Sequence, residues 1–177
     1  MGIEFQILDA LQKIHTPILD KCMAVITSLG NAGIIWIILA AVLLIYPKTR
    51  KTGIIVAAAL IVDLILCNVI LKNLIARTRP YDINTAVQII IAKPHDYSFP
   101  SGHTAASFAS VAALYLAGAK KGWKIAGVLA VLIAFSRLYF MYIFQQMCWM
   151  ELCLGEPTGM GLVAFPIGKK EKKVWLH

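Results

Sequence analysis

Residues 53–71 read Gly-Ile-Ile-Val-Ala-Ala-Ala-Leu-Ile-Val-Asp-Leu-Ile-Leu-Cys-Asn-Val-Ile-Leu, with only Asp63 and Asn68 interrupting an apolar run. About 20 helical residues cross a bilayer's hydrocarbon core, so this stretch has the length and character of a transmembrane helix. The rest of the chain agrees. Of its 177 residues, 59% are hydrophobic and 15% charged, with a mean hydropathy of +0.75. Soluble domains sit near about 45–50% apolar even with glycine counted, and disorder needs low hydrophobicity with high charge. Both classes are excluded. A formal charge of +8 on so apolar a chain places lysines beside lipid headgroups rather than on nucleic acid. The four cysteines (Cys22, Cys67, Cys148, Cys153) contain no C-x-x-C pair, so neither a disulfide framework nor a zinc site is expected. Met1-Gly2-Ile3-Glu4 lacks the basic region of a cleaved signal peptide.

Working outward from that span, Ile3, Ile7, Leu8, Leu11 and Ile14 lie among polar residues in residues 1–16, an amphipathic pattern suited to the membrane interface. Residues 17–29 are moderately apolar, residues 30–33 (Gly-Asn-Ala-Gly) form a break, and residues 33–46 are an apolar run ended by Pro47. These first two stretches are short for separate spans, so one is expected to be re-entrant or interfacial. Residues 104–118 are rich in alanine and serine, which lets helices approach closely. Residues 125–142 form the last clear span.

Two connections are basic: Lys48, Arg50 and Lys51, then Lys120, Lys121 and Lys124. The positive-inside tendency puts both in the cytoplasm. The segment from Lys72 to Pro100 and the end of the last span then face outward. That side collects Lys72, Arg77, Arg79, His95, Ser101, His103 and Arg137, and cations on the supposedly uncharged side need a reason.

Lys72 and Arg79 are seven residues apart, so a continuing helix puts them on one face, and Pro80 ends it about there. They either bind an anion or snorkel to headgroups. Pro100-Ser101-Gly102-His103 precedes an apolar run, where a helix N-terminus offers unpaired N–H groups to an anion. Gly102 allows close backbone approach, Ser101 adds a hydroxyl and His103 a proton donor that titrates near neutrality. The bland alternative is a plain helix start. Arg137, inside a span, is a functional suspect by default, unless it snorkels. Three such segments on one side suit a phosphate group.

Lys72-x6-Arg79-Pro80, Pro100-Ser101-Gly102-His103 and Ser136-Arg137 closely resemble the first two motifs and the start of the third in the type 2 phosphatidic acid phosphatase (PAP2) family. The resemblance covers roughly residues 1–142. It implies an all-α, polytopic transmembrane helix bundle that hydrolyses a phosphomonoester or diphosphate of a lipid. It implies that Lys72, Arg79, Ser101, Gly102 and Arg137 hold the phosphate, and that His103 protonates the leaving oxygen. No metal or other cofactor is implied, because a histidine nucleophile forms a phosphohistidine that water hydrolyses. The expected partners are a lipid phosphate or diphosphate and the membrane, with no nucleic acid. Haloperoxidase chemistry, found in soluble relatives, does not suit this chain.

The family's third motif continues after Ser-Arg with five residues, a nucleophilic histidine, three residues and an orienting aspartate. Here Ile143 and Met147 stand at those positions, and the only histidine after His103 is His177. Back-translating residues 142–151 and joining each codon's third base to the next two gives a constrained alternative. It reads His or Tyr; Ile, Leu or Phe; Pro or Ser; Thr or Ala; Asp or Asn; then Val, Leu, Asp and Gly. The missing ending, His-Phe-Pro-Thr-Asp, is therefore available one frame away. The expectation is a single-nucleotide frameshift near codon 142, with residues 1–142 an incomplete phosphatase domain and residues 143–177 an aberrant tail. Glu151, Gly155, Glu156 and Pro157 then disrupt what should be a final helix. The rival readings are a genuine divergent tail on a non-catalytic binder of phosphate or anionic lipid, and a structural membrane protein whose charges merely snorkel. Asp63 and Asn68 are expected to hydrogen-bond between helices. Arg77 is expected at the interface, and His95 and Asp96 in a loop. Trp36 and Trp123 are expected as anchors or packing groups.

Overall fold

The computed structural model describes Gln6 and residues 10–75, 101–119 and 121–140, and every regular element among them is helical. Helix α1 spans Pro17–Leu29. Thr16 caps it from an extended backbone, its hydroxyl accepting the Leu19 N–H at 3.3 Å, and Pro17 sits in the first turn where no N–H is needed. After Gly30, a 3-10 turn, Asn31–Gly33, leads into α2, Ile34–Ile45. Helix α3, Arg50–Asp63, runs on as a π-helical tract, Leu64–Leu71, and then as α4, Lys72–Ile75. Helices α5, Gly102–Leu116, and α6, Gly122–Tyr139, follow.

The all-α reading holds, and the break falls at the expected residues. Arg50–Ile75 (26 residues) and Gly122–Tyr139 (18 residues) are each long and apolar enough to cross a membrane. Helix α1 and the segment Asn31–Ile45 meet the same criterion only as a pair, bent by 46°. The bend is built from consecutive left-handed residues, Ala32 at φ 51° and Gly33 at φ 67°. Glycine takes that conformation freely, whereas alanine there is strained by about 1–2 kcal/mol.

Several boundaries differ from the sequence reading: α6 opens at Gly122 rather than Ile125, and the long span runs on to Ile75. The long span starts at Arg50, three residues before Gly53, because Thr49 turns the chain sharply: its hydroxyl donates to the Leu43 carbonyl at 2.9 Å. Gly53 then lies so close to α2 that a Cβ would sit 2.8 Å from Leu44 N. Helix α5 starts at Gly102 rather than Thr104 because Ser101 caps it. Asp63 is buried beside Cys67, one turn on in the same helical run, and its Oδ1 has no hydrogen-bond partner among the described residues.

Helix α5 packs against α6 and α3, α2 against α3, and α1 against α6. Ala40, Ala59, Ala106, Ala113, Ala126 and Ala130 line these contacts and allow close approach. Trp36, 1% exposed, fills the centre. Its Nε1 donates to Ser107 Oγ at 2.9 Å, and that hydroxyl donates to the His103 carbonyl at 2.7 Å. Trp36 is thus a packing residue and not an interfacial anchor. Trp36→Ala should destabilise the bundle by about 3–5 kcal/mol, and Trp36→Phe by only about 1 kcal/mol for the lost hydrogen bond. Thermal melts in detergent of the two variants check this order. Ile18, Val25, Ile38, Ile54, Ile125 and Val128 point outward, as a lipid-facing surface requires.

The two helical hairpins fix the ends of the molecule. Helix α2 leaves the break and α3 returns, while α5 leaves Ser101 and α6 returns to Tyr139. The basic connections around Lys48 and Lys121 therefore lie at the end opposite Ser101, the break and Arg137.

Candidate active site

The site end is built on the start of α5. Ser101 has an extended backbone, and its Oγ accepts the Thr104 N–H at 3.5 Å and lies 3.2 Å from Thr104 Oγ1. The first α-helical bond runs from Ala105 N to Ser101 O at 2.9 Å. The N–H groups of Gly102 and His103 precede it and mark the positive dipole end of the helix. Ser101 is buried, and His103 is half-buried at the rim. His103 Nε2 lies 2.8 Å from Asn31 Oδ1. An amide oxygen only accepts, so Nε2 carries the proton and donates it.

Arg137 lies in the last turn of α6, where a cation complements the helix dipole. It is 5% exposed, and its Nη1 donates to Thr27 Oγ1 at 3.1 Å. A snorkelling arginine would extend into the headgroups; this one is held inside the bundle. Ser136 is also buried, but its hydroxyl donates to the Ile133 carbonyl of its own helix at 2.6 Å.

Gly30 joins the two sides. A Cβ there would meet His103 Cδ2 at 2.8 Å and Ile133 Cγ2 at 2.9 Å, with Ile133 one turn before Arg137. Its φ of −81° suits any residue, so the demand is for space. Gly30→Ala should displace the His103 ring and destabilise the fold by about 1–3 kcal/mol, the usual effect of overpacking. A melt in detergent, with Gly33→Ala as the conformational control, measures it.

The structure thus brings Ser101, Gly102, His103 and Arg137 to one end of the bundle. Lys72 opens α4, directly after the π-helical tract that packs on α5. Arg79, with Arg77, His95, Asp96, Ile143 and Met147, lies outside the described residues.

Sequence reasoning missed Thr27, Gly30 and Asn31, treating the break only as punctuation. The available signal was physical: irregular backbone at membrane depth survives only against protein or along a polar cavity. A second cluster was also missed. The Tyr139 carbonyl accepts from Gln12 Nε2 at 3.2 Å and His15 Nε2 at 3.3 Å, and its hydroxyl donates to Asp20. His15 stacks on the Tyr139 ring and reaches Asp20 at 2.9 Å. These contacts anchor the end of α6 two residues beyond Arg137.

Residues 51–142, more than half of the chain, match the family model of the PAP2 superfamily. An undecaprenyl-diphosphatase of Sulfolobus acidocaldarius is 29% identical over 139 residues, 78% of this chain and 66% of that protein. The chain so spans just under two thirds of that relative's length. The crystal structure of a transmembrane PAP2-type phosphatidylglycerolphosphate phosphatase from Bacillus subtilis superposes with a TM-score of 0.75 at 27% identity, covering 97% of this chain and 88% of that one. Aquifex aeolicus LpxE superposes with a TM-score of 0.79, covering 93% of this chain and 97% of that one; at 22% identity this likeness bears on the fold alone. With the family match spanning the helices that carry Ser101, His103 and Arg137, the chain belongs to the PAP2 superfamily.

Proposed function

We propose that the natural protein hydrolyses a lipid phosphomonoester or diphosphate through a phosphohistidine, without a metal, and that this chain carries its phosphate-holding body with the nucleophile shifted out of frame. Residues 1–142 are then the phosphatase domain, and residues 143–177 the aberrant tail. The observation that carries the reading is the pairing of His103 and Arg137 at one end of the bundle, each fixed by a polar partner on the same α1–α2 segment. Donors held in place before reaction stabilise developing charge without reorganising, which is the main device of phosphoryl transfer.

Arg137, Ser101 and the N–H of Gly102 would hold the phosphoryl oxygens, with Lys72 and Arg79 completing the cationic shell. The histidine encoded one frame away at position 143 attacks phosphorus. The bond to the lipid oxygen breaks, and the His103 imidazolium gives that oxygen its Nδ1 proton while Nε2–H stays on Asn31. Water then attacks phosphorus and returns a proton to His103 as the P–N bond breaks, releasing phosphate. The aspartate encoded at position 147 orients the nucleophile. A lipid substrate reaches such a site laterally, with its headgroup meeting the cations. The site faces the non-cytoplasmic side, supported by the basic connections at the opposite end.

Ile143 and Met147 favour a second reading for the chain as it stands, a non-catalytic binder of phosphate or anionic lipid. The full chain in detergent with EDTA should release no phosphate from phosphatidic acid, phosphatidylglycerophosphate or undecaprenyl diphosphate, yet bind orthovanadate. Turnover equal to that of a frame-corrected chain would contradict the assignment of the nucleophile. Vanadate binding unaffected by Arg137→Ala would contradict the phosphate site.

A further inference from the structure

The α1–α2 break touches both halves of the site, and nothing in the motif pattern accounts for it. Thr27 receives the Arg137 guanidinium, Gly30 makes room for the His103 ring, and Asn31 accepts from His103 Nε2. Asn31 is exposed, so water could satisfy its amide, and burial does not force the 2.8 Å contact. The next residue, Ala32, is held at a positive φ that alanine disfavours. Such strain persists only where surrounding structure over-determines it, and it concentrates at functional sites.

We infer that Asn31 is a positioning residue for the reaction, fixing the tautomer and rotation of the His103 imidazole, and that residues 27–31 form a fourth element of the site beside the three motifs. The inference rests on the phosphatase reading for its catalytic consequence. Its geometric content does not. With Nε2–H committed to Asn31 Oδ1, the ring cannot turn about its Cβ–Cγ bond without losing that bond. Nδ1–H of the imidazolium, the proton left to transfer, is thereby held in one orientation while a lipid oxygen develops charge. A general acid in place contributes about 10²–10⁴-fold, and much of that depends on orientation.

Two measurements test the inference. In the full chain in nanodiscs, at a pH where the ring is neutral, 15N imidazole shifts, assigned by comparison with His103→Gln, should show His103 in the Nε2–H form. Asn31→Leu should give a mixture of tautomers, and Asn31→Asp, which keeps an acceptor oxygen, should preserve the parent form. An unchanged tautomer in Asn31→Leu would overturn the inference. In the frame-corrected chain, Asn31→Leu should lower kcat about tenfold or more with KM within about twofold, and Asn31→Asp should recover most of the loss. Unchanged kcat in Asn31→Leu beside an active parent would also overturn it. If the frame-corrected parent shows no turnover, the phosphatase reading fails, and the tautomer measurement still decides the role of Asn31.

Discussion

Correcting the reading frame near codon 142 is expected to raise lipid phosphate release by at least about 10³-fold over the present chain. The reason is chemical. His103 can supply a proton and Arg137 can stabilise charge, but neither forms the covalent intermediate that splits the displacement into two easier steps. Members of such a unit are strongly non-additive, so losing the nucleophile alone approaches the effect of losing the set. Phosphate release from mixed micelles measures the difference, and 32P-labelled substrate should leave an acid-labile adduct only on the corrected chain. The double substitution Ile143→His with Met147→Asp in the present frame should recover less, because the other residues encoded one frame away remain absent.

Arg137→Ala is expected to have the next largest effect. In the present chain it should abolish measurable orthovanadate binding, and in the corrected chain it should lower kcat by about 10²–10³-fold, as loss of one preorganised donor does. Arg137→Lys should recover only part, since an ammonium lacks the guanidinium fork that reaches Thr27 and a phosphoryl oxygen together. Arg137→Met separates chemistry from folding by keeping most of the side-chain volume inside the bundle. Its melt should stay near that of the parent while vanadate binding is lost. Retained vanadate binding in a folded Arg137→Met chain would remove Arg137 from the site.

The spans were legible because lipid imposes a simple rule: apolar runs such as residues 53–71 must be helical to satisfy their backbone groups. Ser101, Gly102, His103 and Arg137 were legible for a different reason, as residue types whose placement beside or inside apolar runs calls for an explanation. Lipid hydropathy could not reveal the π-helical register of Leu64–Leu71, which leaves composition unchanged. Asn31 stayed hidden because its relevance comes from one contact across 72 positions, set by the left-handed pair at Ala32 and Gly33. Gly30 looked like a helix stop, and only the packed structure shows His103 and Ile133 occupying the space of its missing side chain. Trp36 could equally have been an anchor until Ser107 was found opposite its indole nitrogen.

The most direct test of the account is to resequence the source DNA across codons 136–160. The account predicts one base gained or lost close to codon 142, with a frame that reads His, an aromatic residue, Pro, Thr and Asp after Tyr142. An uninterrupted frame through Ile143 and Met147, confirmed on independent genomic and transcript reads, would contradict it. The chain would then be a PAP2 relative without its nucleophile.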